Sequence, residues 1–197
     1  MWDERYAGDD YLFGTEPAAF LTARRQLLVA GERALAIADG EGRNSVFLAE
    51  HGLDVTAMDA SPVGLAKAER LAGQRGVSID FRQADLLTWT WEPDAYDLVV
   101  AVFFQVLGPD DRATVFDGIR RTVRPGGRLL LHGYRPEQVD YGTGGPPLRE
   151  NMYTEDLLRE AFAGFEIERL ESYDTEIVEG TGHAGMSALI DLVARKP

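Results

Sequence analysis

The stretch Ala34-Leu-Ala-Ile-Ala-Asp-Gly-Glu-Gly-Arg-Asn44 decides the fold. Its first five residues form a short apolar run of the kind buried on both faces of a parallel sheet, so Ala34 to Ala38 reads as a strand. Gly40 and Gly42 then let the chain turn tightly, and Arg43 to His51 reads as a helix stopped by Gly52. Strand, glycine turn and helix form the opening unit of an open α/β sheet, which binds ligands beyond the carboxyl ends of its strands. Gly40 and Gly42 allow the backbone to approach such a ligand. Asp59, ending the next strand, is spaced to take both hydroxyls of a ribose. The plainer alternative is a tight turn that holds nothing.

Working outward, short apolar runs alternate with amphipathic stretches, which predicts a βαβ sheet with helices on both faces. Strands are expected at Asp54 to Met58, Ser78 to Arg82, Tyr96 to Val102 and Arg128 to His132. Helices are expected at Pro62 to Arg75, with proline in the first turn and Gly76 beyond the last, and at Asp110 to Val123, closed by Pro125-Gly126-Gly127. Gly133 to Tyr153 reads as a long loop, and Thr154 caps a helix running to about Phe162. Phe165 to Thr175 and Met186 to Ala194 read as two closing strands joined around Gly180-Thr-Gly-His-Ala-Gly185. At the other end, Trp2 to Gly14 is aromatic and irregular, and Thr15-Glu-Pro17 opens a helix through Phe20, Leu27 and Leu28. One domain over 1–197 is expected, with 1–30 a cap or lid and 31–197 the body.

Composition narrows the ligand. Asp and Glu number 33 against 20 Lys and Arg, a net charge of −13 whose field repels the phosphates of nucleic acid and of anionic lipid. Neither a nucleic acid nor a membrane is expected as partner. There is no cysteine, hence no disulfide, thiolate metal site or thiol nucleophile, and no His/Asp/Glu spacing suggests a metal. The N-terminus carries neither a basic nor an apolar leader segment, and a cytoplasmic location is expected. A dinucleotide fingerprint starting at Gly40 needs Gly or Ala where Ser45 stands, and Asp39 and Glu41 would crowd a pyrophosphate with carboxylates. No Gly-Lys-Ser/Thr follows the turn, so a P-loop is excluded. S-adenosylmethionine has a ribose but no phosphate, and its cations tolerate acidic neighbours.

With these residues in place, the chain resembles the class I S-adenosylmethionine-dependent methyltransferases over nearly its whole length. More narrowly it is similar to the tellurite-resistance and thiopurine-methyltransferase-like branch, through Trp2-Asp-Glu-Arg-Tyr6, Tyr11-Leu-Phe-Gly-Thr-Glu-Pro17, Gly40-Glu-Gly-Arg-Asn44, Asp54-Val-Thr-Ala-Met-Asp-Ala-Ser61, Arg124-Pro-Gly-Gly127 and Glu179-Gly-Thr-Gly-His-Ala-Gly185. The resemblance implies a Rossmann-like seven-stranded methyltransferase sheet, mostly parallel with an antiparallel last strand. It implies that Ala38, Gly40 and Gly42 wrap the methionine part of the cofactor, that Asp59 takes the ribose, and that Asp85 with the backbone of Leu86 takes the adenine. Val102 and Phe103 would line the sulfonium. The other motif residues, Arg43, Asn44, Ala60 and Ser61, with Trp2, Arg5 and Tyr6 of the lid, are carried over as cofactor-binding. The chain departs from the usual pattern at Ala36, where an acidic residue normally sits, and at Ala38, where the first loop glycine is common. Asp39 is close enough in sequence to supply a replacement charge.

Methyl transfer from a sulfonium is an in-line displacement with an activated donor, so alignment can do much of the work. The expected partner is a small-molecule methyl acceptor: a thiol, a thiopurine or a selenium or tellurium oxyanion. A non-catalytic binder of the same cofactor is the alternative, and the chain is expected as monomer or homodimer. His51 reads as a helix-end residue, whereas His132, ending a strand, and His183, in the turn before the last strand, are the catalytic candidates. No Asn/Asp-Pro-Pro-aromatic motif follows the fourth strand, where Val102-Phe103-Phe104-Gln105 stands instead, against a base-modifying enzyme. The acceptor pocket is expected between the N-terminal aromatic segment, the loop from Gly133 to Tyr153 and the His183 turn.

Overall fold

A computed structural model describes residues 2–197. A short helix α1 (Trp2–Tyr6) and an irregular stretch lead to α2 (Ala19–Thr22) and a single 3-10 turn. The expected continuous helix from Thr15 to Leu28 is thus broken. Ala18 stays extended as its N–H donates to Asn44 Oδ1, and Arg24 turns inward to donate to Phe20 O and to Asp191. These long-range hydrogen bonds override the local helical spacing.

The body follows as β1 (Arg33–Ile37), α3 (Arg43–Glu50), β2 (Asp54–Asp59), α4 (Pro62–Arg75), β3 (Asp80–Gln83), β4 (Tyr96–Val102), α5 (Pro109–Thr122) and β5 (Val123–Tyr134). Then come α6 (Gln138–Tyr141), a 3-10 turn, α7 (Glu155–Ala161), β6 (Glu166–Glu179) and β7 (His183–Arg195). The seven strands form one sheet in the order β3-β2-β1-β4-β5-β7-β6. Pairing is parallel up to β5 and antiparallel where β7 meets β5 and β6.

Strand alternation sends successive side chains to opposite faces, and both faces are covered. Leu35, Ile37, Val99 and Leu131 pack with Phe116 and Ile119 of α5 and Leu158 of α7. Ala34, Ala36, Val100 and Leu130 pack with Leu48 of α3 and Phe20 and Leu21 of α2.

Three expected boundaries are corrected. β5 starts at Val123, which pairs with Tyr96 ahead of a register irregularity, so Pro125-Gly126-Gly127 lies inside the strand. The hairpin β6–β7 extends to Glu179 and back from His183, leaving only residues 180–182 as its turn. Gly185 had suggested a loop. It pairs with Ile177 within β7, and a Cβ there would meet Thr143 Cγ2 at 2.7 Å, so glycine makes room for the loop packed above it. The segment from Gly133 to Tyr153 is also less irregular than expected. Gln138 organises it, accepting from Ala188 N at 2.9 Å and donating to Thr143 Oγ1 at 3.0 Å and Gly144 O at 3.1 Å. Among the described residues no helix is long and apolar enough to cross a membrane.

Candidate functional site

The strand order reverses between β1 and β4, and a cleft of about 460 Å³ opens at their carboxyl ends. Its floor is the β1–α3 turn. Ala38 has φ 47° and Gly40 φ 60°, left-handed values that explain why glycine is the common residue at the first position. A Cβ on Gly40 would lie 2.7 Å from the Tyr6 hydroxyl, so this glycine lets the N-terminal segment pack onto the turn. Gly42 does something else. It does not line the cleft, and a Cβ there would meet Ala68 Cβ at 2.6 Å, so it serves the close packing of α3 on α4.

Asp59 holds this floor in place. Its Oδ2 accepts from Gly40 N and its Oδ1 from Ser61 N, each at 2.8 Å. Burial pushes its carboxyl above the ordinary value, partly opposed by these backbone donors. Ala60 N also lowers it, and a carboxylate has about four acceptor sites, so acceptor capacity for a ligand hydroxyl remains. Asp39, beside it in the cleft, is nearly fully buried and its carboxyl is pushed up to about 7 by burial, against hydrogen bonds from Ser45 Oγ and Ser45 N. The expected replacement charge is therefore already engaged by Ser45. Glu41 faces away from the cleft: it pairs with Lys67 at 2.7 Å and accepts from Leu12 N at 2.8 Å, anchoring the N-terminal segment.

The walls are aromatic. Trp2 stacks on Tyr6 with ring centroids 5.4 Å apart, and the Arg5 guanidinium lies 4.4 Å from the Trp2 ring. Phe13 follows, 4.3 Å from the His183 ring, and Leu12 O accepts from Thr181 N and Gly182 N, tying the N-terminal segment to the β6–β7 turn. Across the cleft stand Val102 and Phe103, the latter at φ 54° with its ring against Tyr134 and His183. Gly144 to Leu148 close the remaining side. The N-terminal segment, the loop after β5 and the His183 turn thus border one cleft.

Arg43 also lines it, and its Nη2 donates to Glu179 Oε2 at 2.7 Å. Asn44 lines it while its Oδ1 accepts from Ala18 N. The other expected contacts lie outside the lining. Ala60 is exposed, and Ser61 caps α4 through Gly64 N and meets Asp3. Asp85 is exposed, accepting from Leu87 N at 2.8 Å in an Asx turn, while Leu86 is buried in the core.

The two candidate histidines separate. His183 borders the cleft. His132 does not: Phe103 stands edge-on to it, Phe20 stacks on it at 4.9 Å, and its Nδ1 meets Asp191 Oδ1 at 2.7 Å. Asp191 also takes Arg24 and Tyr173, and this buried group fronts a different groove of about 870 Å³ between α2 and the hairpin. His132 thereby lines that groove and not the cleft, held there by Phe20 and Asp191. The sequence pattern did not single out Gln105, which clamps both backbone groups of Tyr134 (2.7 and 2.6 Å), nor Tyr134 and Asn151 of the lining, nor Glu179, which reaches the cleft through Arg43. Only Glu179 carried a signal, four residues before His183 in a glycine-rich turn.

Comparison with known proteins agrees with this geometry. Residues 34–127 match the family model described as a methyltransferase domain. A demethylmenaquinone methyltransferase from Renibacterium salmoninarum is 30% identical over 131 residues, covering 66% of this chain and 50% of that protein. An uncharacterized protein of Mycobacterium tuberculosis is 29% identical over 99 residues, 50% of this chain and 36% of its own. This chain thus spans between a third and a half of the curated relatives it matches. Among solved structures, TehB from Haemophilus influenzae superposes with a TM-score of 0.72 at 20% identity, over 90% of this chain and 61% of that one. A SAM-dependent methyltransferase from Methanosarcina mazei gives 0.73 at 19% identity, over 92% and 98%. The chain therefore has the seven-stranded methyltransferase fold, with its methyltransferase-domain match spanning the glycine floor, Asp59 and the fourth strand.

Proposed function

We propose that this chain is an S-adenosylmethionine-dependent methyltransferase acting on a small molecule. The observation that carries the reading is the cleft at the β1–β4 reversal, where the buried carboxylates Asp39 and Asp59 stand beside an aromatic wall. Ring faces and the Asp59 carboxyl favour a cationic ligand over a phosphorylated one, and a cation bound beside Asp39 would draw off the proton that its burial retains. The residues present fit that cofactor: Asp59 borders the cleft and retains acceptor capacity for a ribose hydroxyl, and the cleft volume suits a nucleoside-sized ligand. When bound, the cofactor supplies an activated methyl group.

The chain's own residues supply position and enclosure. Asp59 and Gly40 fix the floor, Phe103 and Val102 border the reacting end, and the segment 2–13 with Gly144 to Leu148 excludes water. The acceptor classes implied by the resemblance, a thiol, thiopurine or selenium or tellurium oxyanion, belong to this proposal, as does membership of that narrower branch. A screen of thiols, thiopurines, selenite, tellurite, small amines and phenols with the cofactor tests it. Formation of S-adenosylhomocysteine and a methylated product is expected. Cofactor binding with no product from any class would instead favour a non-catalytic binder, the reading to which the strained Ala38 lends weight.

A further inference from the structure

His183 borders the cleft with three rings packed against it and a carboxylate facing its Nδ1. Its ring centroid lies 4.3 Å from both Phe13 and Phe103 and 5.7 Å from Tyr134. Nδ1 is buried without a hydrogen-bond partner and faces Glu179 Oε2 at 3.9 Å, a separation that tightens readily when a catalytic complex closes. Glu179 is fixed by Arg43 Nη2 at 2.7 Å and Ala19 N at 3.1 Å. Against the upward push of its own burial, His183 and Arg43 hold its carboxyl down at about 2. Burial lowers the imidazole below its ordinary value, against the pull of Glu179, so the ring is neutral at neutral pH. The titratable and charged groups around it are Glu179 on β6, Arg43 on α3, and His132 and Tyr134 on β5.

A neutral imidazole with a carboxylate behind it is a proton acceptor. A nucleophile that arrives ionised has no use for one, whereas an aromatic hydroxyl, with a pKa near the tyrosine value of about 10, keeps its proton at neutral pH. Trp2, Phe13, Phe103 and Tyr134 present ring faces or edges to the same cleft, the lining that a flat ring takes. Tyr134 Oη and Asn151 Oδ1 are buried there without partners, and ring substituents would supply them.

Resting on the methyltransferase reading, we infer that the acceptor is a phenol, that His183 is its general base, and that Glu179 is a positioning residue for His183. The acceptor's O–H proton passes to His183 Nε2 and a new O–CH3 bond forms. The C–S bond breaks with its electron pair left on sulfur, and the positive charge lost by the sulfonium reappears as the imidazolium beside Glu179.

The test uses the full chain with 4-methylphenol, 4-nitrophenol and selenite, calorimetry with S-adenosylhomocysteine, and NMR titration of the histidine rings without cofactor. Methylation of both phenols is expected. His183→Gln should slow 4-methylphenol by about 100-fold or more, the contribution typical of a general base. It should slow 4-nitrophenol, whose far more acidic hydroxyl is already substantially ionised at neutral pH, far less, with cofactor affinity within about twofold of the parent. Glu179→Gln should move the His183 titration and the acid limb of the pH–rate profile to lower pH together, which a merely structural role would not do. Equal losses on both phenols, an unmoved titration, or methylation of selenite but neither phenol would overturn the inference while leaving the methyltransferase reading intact. Failure of the folded protein to bind S-adenosylhomocysteine would overturn that reading instead.

Discussion

Ala38 occupies a left-handed backbone position, φ 47°, that disfavours every residue with a Cβ and β-branched ones most. Ala38→Gly should raise stability or leave it unchanged, and Ala38→Val should lower it by roughly 1 to 3 kcal/mol, measured by urea unfolding. An Ala38→Val protein as stable as the parent would contradict the backbone assignment. Asp39 makes stability depend on pH. Its carboxyl is pushed from 3.8 up to about 7, so the folded protein keeps a proton that the unfolded chain releases. Stability should therefore fall as pH rises from about 4 to about 7 and level off above, and Asp39→Asn should reduce the fall. Melting temperatures at pH 5 and pH 8 check this: an identical difference in parent and variant would contradict it. Asp59 was legible from spacing as a ligand-binding acid, but its backbone bonds to Gly40 and Ser61 were not, because they depend on how two loops meet. Asp59→Ala should accordingly lose about 1 to 3 kcal/mol of stability in addition to any cofactor affinity, since Gly40 N is left without its acceptor.

The N-terminal segment shows how far element-scale reading reached. Its aromatic residues marked a lid, yet nothing local indicated that Glu41, inside the glycine loop, anchors it through Leu12 N and Lys67, or that Lys67 also donates to Asp10 O at 2.6 Å. Glu41 and Lys67 are both nearly inaccessible, at 3% each. Breaking a buried pair leaves an uncompensated charge, so Glu41→Ala should lose about 3 kcal/mol or more and speed hydrogen exchange in residues 2–13 ahead of the sheet. Uniform exchange across the chain would show that the segment is no separate unit. The first four strands match their expected bounds to within a residue or two, whereas β5 starts earlier, at Val123, and the hairpin β6–β7 runs several residues longer than expected. Its outer strand is largely charged and its inner one contains Gly185, so pairing rather than hydrophobic pattern sets its length.

At the scale of the whole molecule, the reversal of strand order between β1 and β4 gathers pieces from Trp2 to His183 around one cleft. The glycine turn, the acid ending β2 and the three flanking segments could be read in advance, because each departs from what a plain connection needs. The division between the two histidines could not, since it depends on the tertiary packing of Phe20 and Asp191 against His132. The account stands on that cleft receiving S-adenosylmethionine. Calorimetric titration of the folded chain with S-adenosylhomocysteine is the most direct test: saturable binding at one site per chain, weakened in Asp59→Ala beyond what its stability loss explains, is the predicted result, and absence of binding heat across temperatures with the protein folded would contradict it.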